Sequence, residues 1–132
     1  MFNSKTEEIF DIIQYEPNHE EFEYKGYHCM INRNLHSGCL NGYVGLPEGH
    51  RYYKKDYCSI DDINVHGGLT WSNFWKHDDD LWYLGFDTCH HLDIMPFMRY
   101  NFLEVQFQDE GATYKDIHYV RTELKRMVDQ LL

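Results

Sequence analysis

TYKDIHYVRTELKRMVDQLL, residues 113–132, is the stretch on which the fold turns. Its apolar positions are Ile117, Val120, Leu124, Met127, Val128, Leu131 and Leu132, mostly three or four apart, the spacing of one helical face. The pattern predicts a helix over 114–131, with Thr113 as N-cap and Asp116 three residues on in the manner of a capping box. Arg121, Lys125 and Arg126 fall in the later turns, where cations suit the helix dipole. An apolar stripe of this kind must cover something, and the preceding chain offers a sheet.

Working towards the N-terminus, residues 69–75 and 81–86 are rich in aromatic and apolar side chains and are separated by polar residues 76–80, which predicts a hairpin. Residues 43–46 read as a strand stopped by Pro47. Residues 22–32, with Gly26 interrupting, read as one or two strands. Ahead of them, Ile9, Phe10, Ile12 and Ile13 alternate with Glu7, Glu8 and Asp11, a short amphipathic helix over 5–15 with Ser4 as N-cap and Pro17 as its stop. The chain has no internal repeat and no low-complexity linker. The expectation is one α+β domain over 1–132: an antiparallel sheet covered by a long C-terminal helix and a short N-terminal helix.

Composition narrows the class. A chain of 132 residues suits one domain. Eleven Tyr, eight Phe and three Trp supply a core and speak against disorder. A net charge of −10 disfavours long nucleic acids, whose affinity rests on phosphate contacts. No run of 18 apolar residues is present, and the first ten residues lack a basic and then apolar signal pattern. The expectation is a cytoplasmic protein that does not engage membranes. Cys29, Cys39, Cys58 and Cys89 form no C-x-x-C pair, so neither a zinc knuckle nor a thioredoxin-type motif is present. Charge is unevenly spread: residues 24–55 hold Lys25, Arg33, Arg51, Lys54 and Lys55 against Glu48 alone, net +4, leaving −14 elsewhere. That window reads either as a small basic face for one or a few phosphates or as chance segregation on a solvated surface.

Three patches between residues 42 and 93 carry candidate chemistry. GYVGLPEGH, 42–50, has glycines that could expose backbone N–H groups to an anion or simply serve strand and turn geometry, and it lacks the Lys and Ser or Thr of a P-loop. VHGGLTW, 65–71, sets Gly67 and Gly68 after His66, a place where a ligand could approach the backbone. No Gly-x-Ser-x-Gly elbow accompanies it, which argues against a serine hydrolase. WYLGFDTCHHLD, 82–93, places Asp87, His90 and Asp93 where they can converge with His66. Such a set could hold a divalent metal, bind a polar ligand, or form a structural hydrogen-bond network. Thr70, Trp71 and Trp82 flank it, and rings beside a polar cluster suit stacking of a base or sugar. Arg51 and Lys54 are the expected phosphate contacts.

Taken together, GYVGxPxGH, HGGLT and GFDxxHxxD, with Tyr114, Tyr119, Val120 and Glu123 downstream, resemble a family of short, largely uncharacterised bacteriophage-encoded proteins. Where that family has Cys-Ala-His-Ala-Gly-Asp after Gly-Phe-Asp, this chain has Thr88-Cys89-His90-His91-Leu92-Asp93: His and the final Asp are kept and the first Cys is not. The resemblance implies a phage-type origin. Joined to the basic window and the aromatic supply, it leads to the expectation of a protein that sequesters a small anionic ligand, such as a nucleotide immune signal, in counter-defence. A metal-assisted, phosphoesterase-like hydrolase using His66, Asp87, His90 and Asp93 is the alternative. An acidic protein-binding inhibitor is a third.

Overall fold

In the computed structural model, residues 4–75, 78–98, 105–106 and 111–132 are described. Helix α1 covers Ser4–Ile13, and five strands follow: β1 His19–Tyr24, β2 Tyr27–Arg33, β3 Leu40–Leu46, β4 Trp71–Trp75 and β5 Asp78–Asp87. Helix α2, Ile117–Leu131, closes the described chain. The strands form one antiparallel sheet in the order β1-β2-β3-β5-β4. The fold is α+β, as the sequence predicts.

Local chemistry explains the pairing. Between β1 and β2 the two turn residues, Lys25 and Gly26, both have positive φ (50° and 85°), as a tight hairpin with the sheet's own twist requires. Gly26 therefore divides two strands. The second hairpin, β4 with β5, pairs Trp71 with Gly85 and Phe74 with Trp82. Its connecting residues 76–77 lie outside the described residues, as does the side chain of Ser4, the expected N-cap. Alternation along the strands then sorts the two faces. Cys29 and Ile31, Leu40, Val44 and Leu46, and Leu84 and Phe86 are all buried on one face. Against them lie Ile117, Val120, Leu124, Met127, Val128 and Leu131 of α2. Burial pushes the Cys29 thiol up to about 11, so it is an inert part of this core.

Two expectations need correction here. The glycines of residues 42–50 do not form an anion cradle, because Gly42 and Gly45 sit inside β3, paired with β2 on one side and β5 on the other. Gly42 is small for a packing reason: a Cβ there would stand 2.7 Å from the Phe86 ring and 3.1 Å from Leu124. The helix also begins later than its apolar spacing suggests. Asp116, not Thr113, is the N-cap and accepts from the Tyr119 N–H at 2.9 Å. Thr113 is engaged instead in a short parallel bridge to Asp93. No basic residue lies in the last turn of α2; Arg51 and His50 supply donors to the Leu131 carbonyl from outside the helix, at 3.2 and 2.8 Å.

The segment after α1 is fastened by a buried ion pair. Glu16 accepts from Arg33 Nη2 at 2.9 Å, from the Tyr114 hydroxyl at 2.6 Å and from the Ile117 backbone N–H at 2.8 Å. One carboxylate thus joins the N-terminal segment, the sheet and the start of α2. No described helix is long and apolar enough to cross a membrane.

Leu124 is completely buried between helix and sheet. Leu124→Ala should cost about 2–5 kcal/mol of unfolding free energy in urea titration. A loss below about 0.5 kcal/mol, the range of surface substitutions, would place the stripe outside the core.

Candidate functional site

Residues from four separated motifs meet at one end of the sheet. Gly67 and Gly68 adopt positive φ (67° and 82°), turning the chain so that His66 faces α2. The His66 backbone N–H donates to Glu123 Oε1 at 2.7 Å, and Glu123 is itself held by Arg126. The His66 ring lies between Asp93 Oδ2 and the Tyr119 hydroxyl, each at 2.7 Å. An ionised carboxylate only accepts, so Nε2 carries a proton towards Asp93, while Nδ1 faces the Tyr119 hydroxyl.

Asp93 organises this cluster. Its side chain is 1% exposed. Besides His66, Oδ2 accepts from the His90 backbone N–H at 2.9 Å. Lys115 Nζ stands 2.9 Å from Oδ1 as an ion pair, although it is too poorly aligned to count as a hydrogen bond. Burial alone would raise the Asp93 carboxyl, but the hydrogen bonds from His66 and the His90 N–H, with the Lys115 ammonium beside it, outweigh burial and hold it below its ordinary value.

His90 lies against the glycine turn. A Cβ on Gly67 would come within 2.2 Å of the His90 ring, so only glycine allows the loop and the imidazole to meet. His90 Nε2 is 3.0 Å from Asp87 Oδ1, again a close contact without hydrogen-bond alignment. Asp87 ends β5 and accepts from the Thr70 hydroxyl at 2.9 Å and from the Cys89 N–H at 3.0 Å. It opens onto the sheet face that α2 does not cover. There Asn41, Tyr43, Thr70, Trp71, Phe86 and Asp87 line a pocket of about 180 Å³. Trp71 stands edge to face with Tyr43, the ring centres 5.3 Å apart. Burial raises the Tyr43 phenol, so it stays protonated and able to donate.

His66, Gly67, Thr70, Trp71, Asp87, His90 and Asp93 are therefore brought together, in a network running into a pocket. Gly68 adjoins them, with open space where its side chain would be. Other expected site residues lie elsewhere. Trp82 is on the helix-covered face and donates its indole N–H to the Lys55 carbonyl. Arg51 donates to the carbonyls of Gln130 and Leu131, twelve residues along α2 from Tyr119 in the latter case, or roughly 18 Å of helix. Lys54 lies over the rings of Tyr53 and Phe74, near the Trp82 end of the hairpin. Neither cation is placed to hold a phosphate at Asp87.

The basic window is likewise no single face. Arg33 is buried against Glu16 and Lys25 pairs with Asp129. The metal alternative fares no better among the described residues, where no three His, Cys, Asp or Glu side chains are disposed around one ion. The donor atoms of His66 and Asp93 already face one another, Tyr119 and Lys115.

Several participants were not singled out as site residues from sequence. Tyr119 and Glu123 are four apart on α2, a spacing that puts both on one face, and this was the available signal. Lys115, Asn41 and Tyr43 gave none, since their roles depend on residues distant in the chain. All four cysteines are unpaired. Cys89 Sγ is 3.4 Å from Ser37 Oγ, and its thiol is lowered chiefly by a hydrogen bond with Cys39.

Compared with known proteins, the chain matches no family model, no curated protein and no solved structure.

Two outcomes follow from the network. Because the Asp93 carboxyl is depressed in the fold, its contribution is present above the ordinary value of 3.8 and is lost as pH falls through the lower folded value. The stability gap between wild type and Asp93→Asn, measured in urea, should narrow on acidification below that point. A gap that stays constant down to about pH 2 would contradict the assignment. Gly67→Ala should destabilise by about 1–3 kcal/mol through positive-φ strain and displacement of His90, with calorimetry as the check.

Proposed function

We propose that this protein binds a small, flat, donor-rich molecule, the base or sugar end of a nucleotide-type ligand, in the pocket beside Asp87. The observation that carries this reading is the meeting of an acidic acceptor with two rings and two neutral polar groups. Asp87 offers its carboxylate, Asn41 an amide and Thr70 a hydroxyl at the mouth of the Trp71–Tyr43 corner. A ring stacked on Trp71 would present N–H or O–H groups to Asp87, whose position is set by Thr70 and the Cys89 N–H.

The chemistry favours the neutral end of such a ligand. Among the described residues no basic side chain lines the pocket, and Arg51 and Lys54 lie away from it, so the recognition falls on the base or sugar rather than on phosphate. The pocket's 180 Å³ suits one heterocycle more than a whole nucleotide. The His66–Asp93–Tyr119 network acts here as the rigid support that fixes the loop behind His90. The resemblance to short phage-encoded proteins supports sequestration of a nucleotide immune signal in the host cytoplasm as the use of this binding.

Quenching of tryptophan fluorescence by a panel of nucleosides, cyclic nucleotides and ADP-ribose tests the proposal. At least one should bind at micromolar concentration. Trp71→Ala and Asp87→Asn should each weaken it by about tenfold or more, equivalent to ~1.4 kcal/mol, with the fold intact by circular dichroism. Absence of binding across the panel, or unchanged binding in both variants, would reject the pocket.

A further inference from the structure

The sheet face turned away from α2 continues past Tyr43 and Trp75, whose ring centres are 5.1 Å apart, into a second and larger groove. It holds about 570 Å³, within the size range of small-molecule sites. Trp75 and Tyr83 form an aromatic corner on one side, their ring centres 5.9 Å apart and the planes inclined at 65°. The other side comes from β1 and β2. Both oxygens of Glu21 are held by imidazoles, Oε1 by His28 at 2.7 Å and Oε2 by His19 at 2.9 Å. His19 Nδ1 is in turn 2.5 Å from Asn32 Oδ1.

Glu23 stands apart from this arrangement. It lines the groove and has no ion-pair or hydrogen-bond partner among the described residues. Among the described residues no lysine or arginine lines the groove, and its two imidazoles, His19 and His28, are both engaged by Glu21, which leaves Glu23 as the unpaired charge. An unpaired carboxylate beside aromatic faces is the combination that recognises an organic ammonium group: carboxylate for the charge, ring faces for the charge and the adjoining methylenes. The apolar side chains of Met30 and Leu81 complete the lining for an alkyl chain.

We infer that this groove is a binding site for a small aliphatic polyamine, with an ammonium group at Glu23 and the alkyl chain along Trp75 and Tyr83. The site is separate from the Asp87 pocket and does not rest on the reading proposed for it. Its occupant is a small molecule because the complementary charge is concentrated at one end of a bounded groove rather than along a strip.

Titration calorimetry with spermidine at low ionic strength tests the inference on the whole chain. Saturable binding is expected, weakening as salt is added. Glu23→Gln should reduce affinity by about tenfold or more, and Trp75→Ala by a comparable factor. Glu48→Gln, which removes an exposed acid elsewhere, should leave it within about twofold. Amide shifts in the spectrum of the labelled protein should centre on β1, β2 and β5. An equal loss in Glu23→Gln and Glu48→Gln would reduce the effect to general acidity and overturn the site. So would retention of full affinity in Glu23→Gln, absence of spermidine binding at millimolar concentration, or binding of a lysine-rich peptide where spermidine does not bind.

Discussion

A carboxylate removed from water must find compensation, and Asp93 finds it from three directions. His66 approaches from the glycine loop, the His90 N–H from the turn after β5, and Lys115 from the link into α2. A buried ion with one partner removed is costly, because the remaining charge has neither water nor a counter-ion. The loop, turn and helix entry are therefore mutually dependent. Each could be rearranged alone only by stranding Asp93, so the end of the sheet that carries Asp87 is held in a single arrangement.

A second constraint is geometric. One amphipathic helix covers one face of a five-stranded sheet, and residues that alternate away from it have no described helix to meet. On the covered face the alternation places Val44, Leu84 and Phe86 against α2; on the other it places Tyr43, Trp71, Trp75 and Tyr83 together. Aromatic rings that the composition offers to a core are thus divided between the helix-covered face and the face turned away from α2. Both candidate pockets lie on that surface, one at the Asp87 end and one towards β1.

Charge behaves differently from hydrophobicity in this chain. Residues 24–55 carry an excess of basic side chains, yet the fold distributes them. Arg33 enters a buried network with Glu16 and Tyr114, Arg51 donates to the end of α2, and Lys25 reaches Asp129. Their partners lie far away in sequence, so local charge counting cannot anticipate them. The result reverses the expected polarity of the candidate site: Asp87 leads in one pocket and Glu23 in the other.

The α+β class, the hairpin of 69–75 with 81–86, the break at Gly26 and the apolar stripe of α2 were legible in the sequence because they follow from short-range periodicity and turn chemistry. Lys25-Gly26 and the steps from Ile117 to Leu131 are signals contained within a few residues of themselves. The convergence of His66, Asp87, His90 and Asp93 was legible too, as a concentration of polar groups beside glycines and a strand end. Only the tertiary structure decided what those groups do. It made Asp93 a buried hub for His66, the His90 N–H and Lys115, set Asp116 ahead of α2 by engaging Thr113 elsewhere, and separated Trp82 from Trp71 by placing them on opposite faces of one hairpin. The physical reason is that a side chain's backbone preference is local, whereas its hydrogen-bond and charge partners are whatever the fold brings within 3 Å.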